Sequence, residues 1–151
     1  MIIENRIKEL GFQIPSESKA IANYVPAKRA GNLVFTSGQL PIRDGELISK
    51  GIISGDSEIE LAYECAQICV LNALTAIRGL IGDLDDIKQV VKVVGFVASS
   101  PNFFNQPKVV NGASELLIQI FGEKGRHSRS AVGVAALPLN ATVEIELIVE
   151  I

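Results

Sequence analysis

The sequence predicts an α+β fold in which two long helices cover one face of a single sheet. Three observations carry that prediction. Two stretches of helical length each present a broad apolar face. Between them, Val90–Ala98 is rich in β-branched residues and almost continuously apolar, as a strand covered on both faces would be. On either side of this core lie segments of alternating character that read as hairpins, giving the order hairpin–helix–strand–helix–hairpin.

Each element follows from its residues. Ile3, Ile7 and Leu10 share one helical face, and Gly11 is a suitable terminator, so the chain opens with a short helix inside an N-terminal extension spanning residues 1–20. Tyr24–Arg29 and Leu33–Gln39 form a hairpin across Ala30-Gly31-Asn32, where Gly and Asn tolerate positive φ. Residues 41–55 are polar and glycine-bearing, a loop with a short edge strand around Leu47-Ile48. Ser57 and Glu60 are spaced as a capping box for a helix running to Arg78, with Gly79 near its end. Its apolar face contains Leu61, Cys65, Ile68, Cys69, Ala73 and Ile77. The second long helix starts near Pro107 and stops at Gly122, with a stripe through Val109, Ala113, Leu116, Leu117 and Ile120. The C-terminal segments on either side of Leu137-Pro-Leu-Asn140 read as a hairpin. Its expected register buries Val132 and Val134 with Val143 and Ile145, sets Gly133 opposite Glu144, and puts Arg129, Ala131 and Gly133 on one face with Glu144 and Glu146.

Composition bounds the function. The 151 residues make one domain, 1–151, with chain enough for a real core. The chain is 48% hydrophobic with only 5% aromatics, and its mean hydropathy is +0.32, so an aliphatic core and association with copies of itself are expected. A net charge of −3 without a basic cluster argues against a nucleic-acid footprint. No uninterrupted apolar run approaches the ~20 residues of a membrane span, and the N-terminus is charged by Glu4, unlike a secretory signal, so the expected location is the cytoplasm. Cys65 and Cys69 stand four apart without a second ligand cluster and read as buried small apolar residues.

Two segments resemble a known family. Arg129-Ser-x-Val-x-Val-x-x-Leu-Pro138 followed by Val143-Glu-Ile-Glu146 is similar to the C-terminal signature of the RidA (YjgF) family of imine and enamine deaminases. Arg29-Ala-Gly-Asn-Leu-Val-Phe-Thr-Ser-Gly-Gln-Leu-Pro41 resembles its upstream signature, and Leu84-Asp-Asp-Ile87 leading into Val90–Val97 resembles its central strand. The likeness covers residues 20 to 151. It implies a chorismate-mutase-like fold, a homotrimer with ligand clefts between subunits, no cofactor and no metal, and hydrolysis of reactive 2-imino or 2-enamino acids to 2-keto acids and ammonia.

The resemblance also assigns residues. Arg129 would hold the substrate carboxylate with its planar fork, although by spacing alone it could equally pair with Glu144 or Glu146. Glu144 would serve as base and acid toward water and the departing nitrogen; its plain alternative is a solvated strand face shared with Glu146 and Glu150. Ser37 and Tyr24 would hydrogen-bond the substrate nitrogen or the water, Tyr24 in the altered context Ala22-Asn23-Tyr24. Departures from the family pattern are concentrated around the arginine. Ala131 stands where a cysteine is frequent, Gly133 where a glutamate is usual, and His127-Ser128 replace Pro-Ala; aromatics of the second helix are absent around Ser114 and Ile118. They imply a wider, less nucleophilic pocket floor. His127, the only histidine, lies two residues from Arg129 and points the same way on an extended segment. A non-catalytic binder of small carboxylates is the rival reading, and ribonuclease activity a weaker third, since the chain is acidic and lacks paired histidines.

Overall fold

A computed structural model describes residues 1–16 and 23–151. The described elements are α1 (Ile2–Glu9), β1 (Ala27–Ala30), β2 (Leu33–Thr36), β3 (Ile42–Arg43), β4 (Glu46–Leu47), α2 (Ile59–Ile81), β5 (Gln89–Ala98), α3 (Gln106–Phe121), β6 (Ser128–Val134) and β7 (Val143–Glu150). The last part of the predicted extension, and Ala22 before the tyrosine, lie outside the described residues.

Five strands form one mixed sheet in the order β1-β2-β7-β5-β6, and β3 pairs with β4 in a separate hairpin turned at Asp44-Gly45, both at positive φ. β1 and β2 pair as expected, from Ala27 opposite Thr36 to Ala30 opposite Leu33. The expected C-terminal hairpin does not form. β6 and β7 both pair with β5 instead, β6 in parallel and β7 antiparallel, so β5 lies between them. The connection from Ala135 to Thr142 is what permits this. It is eight residues long and turns through Leu139 and Asn140 at positive φ, enough chain to cross the roughly 10 Å of two strand spacings. Gly51 N–H donates to the Asn140 carbonyl and pins the crossing.

This pairing reverses the predicted faces of β6, while Val143 and Ile145 of β7 are buried as expected. Arg129, Ala131 and Gly133 sit beside Val93, Gly95 and Val97, which sit beside Leu147, Ile145 and Val143. Neighbours across a ladder share a face, and that face is the one covered by helices. Val132 is therefore not buried with Val143 but 43% exposed on the open face, beside Phe96 and Glu144.

α2 and α3 both pack on the covered face, burying Cys65, Cys69, Leu74 and Ile77 from one and Val109, Ala113, Leu116 and Leu117 from the other. The two cysteines are free and buried, as expected. Asp56–Ile81 has the length and apolar composition of a membrane span, yet its apolar side is taken up by this core. Glycines set the closest approaches. Gly95 admits the Val110 side chain to the sheet, and Gly112 admits the Tyr63 carbonyl, so a Cβ at Gly112 would stand 2.2 Å from that oxygen. Two helix-end expectations are corrected. The Glu58 carboxylate, not a Ser57–Glu60 box, organises the start of α2 by accepting from the Ser54 and Gly55 N–H groups at 2.9 and 3.0 Å. The helix also runs through Gly79 to end at Gly82, whose φ of 91° suits the exit. Gly122 closes α3 as predicted.

Candidate functional site

Arg129 sits on the outer strand β6, where alternation turns its side chain under α3. Its Nη1 donates to Asn111 Oδ1 at 2.8 Å and to Ser114 Oγ at 3.1 Å. Both partners are neutral. Among the described residues no carboxylate lies within ion-pair distance of it, and neither Nε nor Nη2 has a hydrogen-bond partner. The surface ion pair with Glu144 or Glu146 that spacing allowed is thus absent. A half-buried guanidinium held at one nitrogen by neutral groups is prepared to receive an anion on the others.

His127 stands next to it. Its Nδ1 is 2.6 Å from the Gly125 carbonyl and its Nε2 is 2.8 Å from Ser114 Oγ, so Ser114 bridges histidine and arginine. Burial holds the imidazole below its usual range of protonation; the Gly125 carbonyl opposes this and the charge of Arg129 reinforces it. Asn111 was not singled out from sequence, and Ser114 only as a position where the family's aromatics are absent. Their signal was available: they sit three apart on α3, bordering the apolar stripe, where polar groups are poised to meet a strand-edge cation.

Glu144 belongs to the opposite face. It lies across from Phe96 on β5, and its carboxylate folds over Gly38 so closely that a Cβ there would meet Oε1 at 2.0 Å. Sequence reading places Gly38 within the Leu33–Gln39 segment of the first hairpin; in the structure it leaves space for this carboxylate. Burial raises the Glu144 pKa first, and the neighbouring Glu146 charge adds to it. A carboxyl group so placed takes up a proton more readily than a solvated glutamate. Ser37 immediately precedes Gly38. Its Oγ donates to the Val25 carbonyl at 2.7 Å and its N–H to the Pro26 carbonyl at 2.8 Å. Tyr24, adjacent to Val25, lies in a bend before β1 and is 60% exposed.

The predicted residues therefore form two groups. Glu144 and Ser37 meet at Gly38, just after β2, with Tyr24 in the exposed bend next to Val25. Arg129 stands apart with Asn111, Ser114 and His127 at the far edge of the sheet. β5 separates their strands, so Arg129 and Glu144 are about 10 Å apart across the sheet before their opposite faces are considered. The expectation that Arg129 and Glu144 share a face is overturned, and one chain does not bring them together.

Beyond Arg129, Ala131 and Gly133 continue the covered face of β6. A Cβ at Gly133 would lie 2.7 Å from both Gln106 Nε2 and Ser99 Oγ. An open cavity of about 580 Å³ adjoins it, lined by Gly133, Gln106, Ser99, Phe104 and Ile52. The described residues contain no group of three or more His, Cys, Asp or Glu arranged to hold a metal.

Comparison with known proteins agrees with this architecture. The profile of the family described as "YjgF/chorismate mutase-like, putative endoribonuclease" matches residues 4–151. Protein TCP17 of Trypanosoma cruzi is 39% identical over 146 residues, covering 96% of this chain and 91% of that one. The crystal structure of Atu1372 from Agrobacterium tumefaciens, a protein of unknown function, superposes with a TM-score of 0.91 at 47% identity, covering 99% of this chain and 92% of the other. Escherichia coli TdcF, crystallised with bound serine, superposes at a TM-score of 0.59 with 28% identity, covering 88% and 91%. With its mixed sheet, two covering helices and both signature segments in place, this chain belongs to the YjgF/chorismate mutase-like family.

Proposed function

We propose that the protein hydrolyses reactive 2-imino and 2-enamino acids to 2-keto acids and ammonia, in clefts formed where neighbouring subunits of a homotrimer meet. The observation that carries this reading is the state of Arg129: a half-buried cation with neutral partners on one nitrogen and, among the described residues, none on the others. An α-carboxylate would complete it. The likeness to TdcF, which binds serine, supports a small ligand bearing such a carboxylate. Arg129 and Glu144 lie on opposite faces of one sheet, so a site using both takes them from different copies.

The chemistry needs little more than positioning. With the carboxylate on Arg129, water attacks the carbon of the protonated imine (C=NH2+) while Glu144 of the adjoining copy takes one water proton. The C=N bond becomes a C–N single bond bearing a new hydroxyl. Glu144 then returns its proton to the nitrogen and, again a carboxylate, takes the hydroxyl proton as C=O forms and the C–N bond breaks to release ammonia. The raised proton affinity of Glu144 favours this uptake and return of a proton over that of a solvated glutamate. Ser37 spends its proton on Val25, leaving oxygen lone pairs to accept from water or nitrogen.

A second reading has one observation in its favour. Ala131 and Gly133 place no acid or nucleophile on the floor beside Arg129, as suits a protein that only captures small carboxylates. Ribonuclease activity has less support, because the single histidine is engaged by Gly125 and Ser114.

Subunit complementation tests the proposal. Arg129→Ala and Glu144→Gln are each expected to lose turnover of an imine generated in situ. Co-refolded in equal amounts, they should regain it at about a quarter of the sites, those joining an intact arginine to an intact glutamate across a heterologous interface. Mixtures as inactive as either variant would refute a site shared between copies. Saturable keto-acid binding by an unmutated protein that releases no ammonia would establish the binder instead.

A further inference from the structure

We propose that His127 is a positioning residue for Arg129, acting through the Ser114 hydroxyl, and that a carboxylate docking on Arg129 brings a proton onto His127. The inference rests on reading Arg129 as a carboxylate anchor.

The argument begins with donors and acceptors. The Gly125 carbonyl can only accept, so Nδ1 at 2.6 Å carries the hydrogen. In the neutral ring Nε2 is then an acceptor, and Ser114 Oγ at 2.8 Å donates to it. Ser114 has a single proton. Once it is directed at His127, the oxygen turns only lone pairs toward Arg129, and Nη1 donates to it at 3.1 Å. Asn111 Oδ1 accepts from the same nitrogen at 2.8 Å. The histidine thus sets the polarity of the hydroxyl, and the hydroxyl with Asn111 turns Nη1 toward α3, leaving Nε and Nη2 for a ligand.

The coupling follows from the charges around the ring. β6 contributes the Arg129 cation, α3 the neutral Ser114, and the turn before β6 the Gly125 carbonyl. A carboxylate on Arg129 cancels much of the one adverse charge. Nε2 can then take a proton and donate to Ser114 Oγ, which still accepts from Nη1 while its own hydrogen swings toward the bound carboxylate. The imidazolium, the hydroxyl and the guanidinium would then all favour the anion. By reciprocity, carboxylate binding tightens as pH falls through the titration of His127.

His127 is the only histidine in the chain, so its ring carbons give an unambiguous NMR signal. The experiment titrates that signal in the assembled protein, free and saturated with 2-ketobutyrate, and measures binding heats in two buffers of different ionisation enthalpy. The midpoint is expected to move upward with ligand, with net proton uptake between the two midpoints. His127→Ala should raise KM for imino acids about tenfold, the order expected for a disturbed charge-assisted bond, with a smaller change in kcat. His127→Gln returns an acceptor without a titrating group, and should recover most of that KM while losing the pH dependence of keto-acid affinity. Keto-acid binding that leaves the His127 midpoint unmoved, or a wild-type KM in His127→Ala, would overturn the positioning role and leave the anchor intact. No keto-acid binding at all would overturn the anchor, and this inference with it.

Discussion

Gly38→Ala isolates the placement of the Glu144 carboxylate from everything else the site needs. A Cβ at Gly38 would stand 2.0 Å from Oε1, 2.8 Å from Cδ and 3.0 Å from Cγ of Glu144. To reach ordinary contact at 3.4 Å, the nearer oxygen must retreat by about 1.4 Å. The obstructing atoms are the end of a flexible side chain, so the fold can adapt. An off-rotamer glutamate costs of order 1 kcal/mol, about 2–4 °C in the Tm of a chain this size. Catalysis is less tolerant, because a displacement near 1 Å at a reacting group can cost about 10²-fold. The expected outcome is a kcat/KM for imine hydrolysis roughly 10²-fold lower, a Tm lowered by only about 2–4 °C and keto-acid affinity within a fewfold of the parent. Glu144→Gln is the partner for a double-mutant cycle: Gly38→Ala made in that background should cost little more, since the group it displaces is already disabled. A fully active Gly38→Ala, or losses that multiply independently in the double variant, would refute the link between this glycine and the carboxylate.

Arg129→Lys keeps the charge and loses the planar fork, so kcat/KM for small imino acids should fall steeply and calorimetry should show weaker keto-acid binding; a variant matching the parent would reduce Arg129 to a structural cation. Glu144→Gln should melt at a higher temperature than the parent at pH 7. The folded-state pKa of Glu144 is raised above its ordinary 4.5, so its favourable contribution is present below that value and lost as pH rises through the folded one. The difference should close in melts near pH 4, and equal Tm values at both pH values would count against the burial and Glu146 repulsion assigned to it. Gly112→Ala places a Cβ 2.2 Å from a backbone oxygen, which cannot swing aside. Overpacking of about 1–3 kcal/mol predicts a Tm lower by roughly 3–10 °C; an unchanged melt would show that α2 and α3 can separate freely.

The elements were legible because their signals are local. The stripe from Val109 to Phe121 and the glycine at its end define α3 without reference to anything distant, and Gly31 with Asn32 does the same for the first hairpin. Strand neighbours are a different matter. β6 reads Ser-Arg-Ser-Ala-Val-Gly-Val, and at a sheet edge neither alternate set is apolar enough to declare its face. Val132 and Val134 look like core residues beside Arg129 and Gly133, yet the parallel ladder with β5 turns Arg129, Ala131 and Gly133 inward instead. Parallel pairing depends on what β5 can offer on both sides, and no spacing within residues 128–146 encodes that. Gly38 was obscured for a related reason. Its contribution is the volume it leaves empty for a side chain more than a hundred positions away.

The misread faces have a chemical consequence. Had Arg129 and Glu144 shared a face, as the hairpin register suggested, a guanidinium and a carboxylate within reach would have satisfied each other. The glutamate would then titrate below its ordinary value, poorly suited to take up a proton, and the arginine would meet a substrate already neutralised. Placing β5 between their strands, and the thickness of the sheet between their side chains, prevents that pairing. Arg129 rests on an amide and a hydroxyl, and Glu144 on Gly38 with Glu146 nearby, so among the described residues neither has an opposite charge beside it. In a cleft between two copies, an imino acid would supply the carboxylate that answers the arginine and the nitrogen that takes the proton from the glutamate. On this reading the sheet serves as an insulator, and the two groups become partners only when assembly and substrate bring them together.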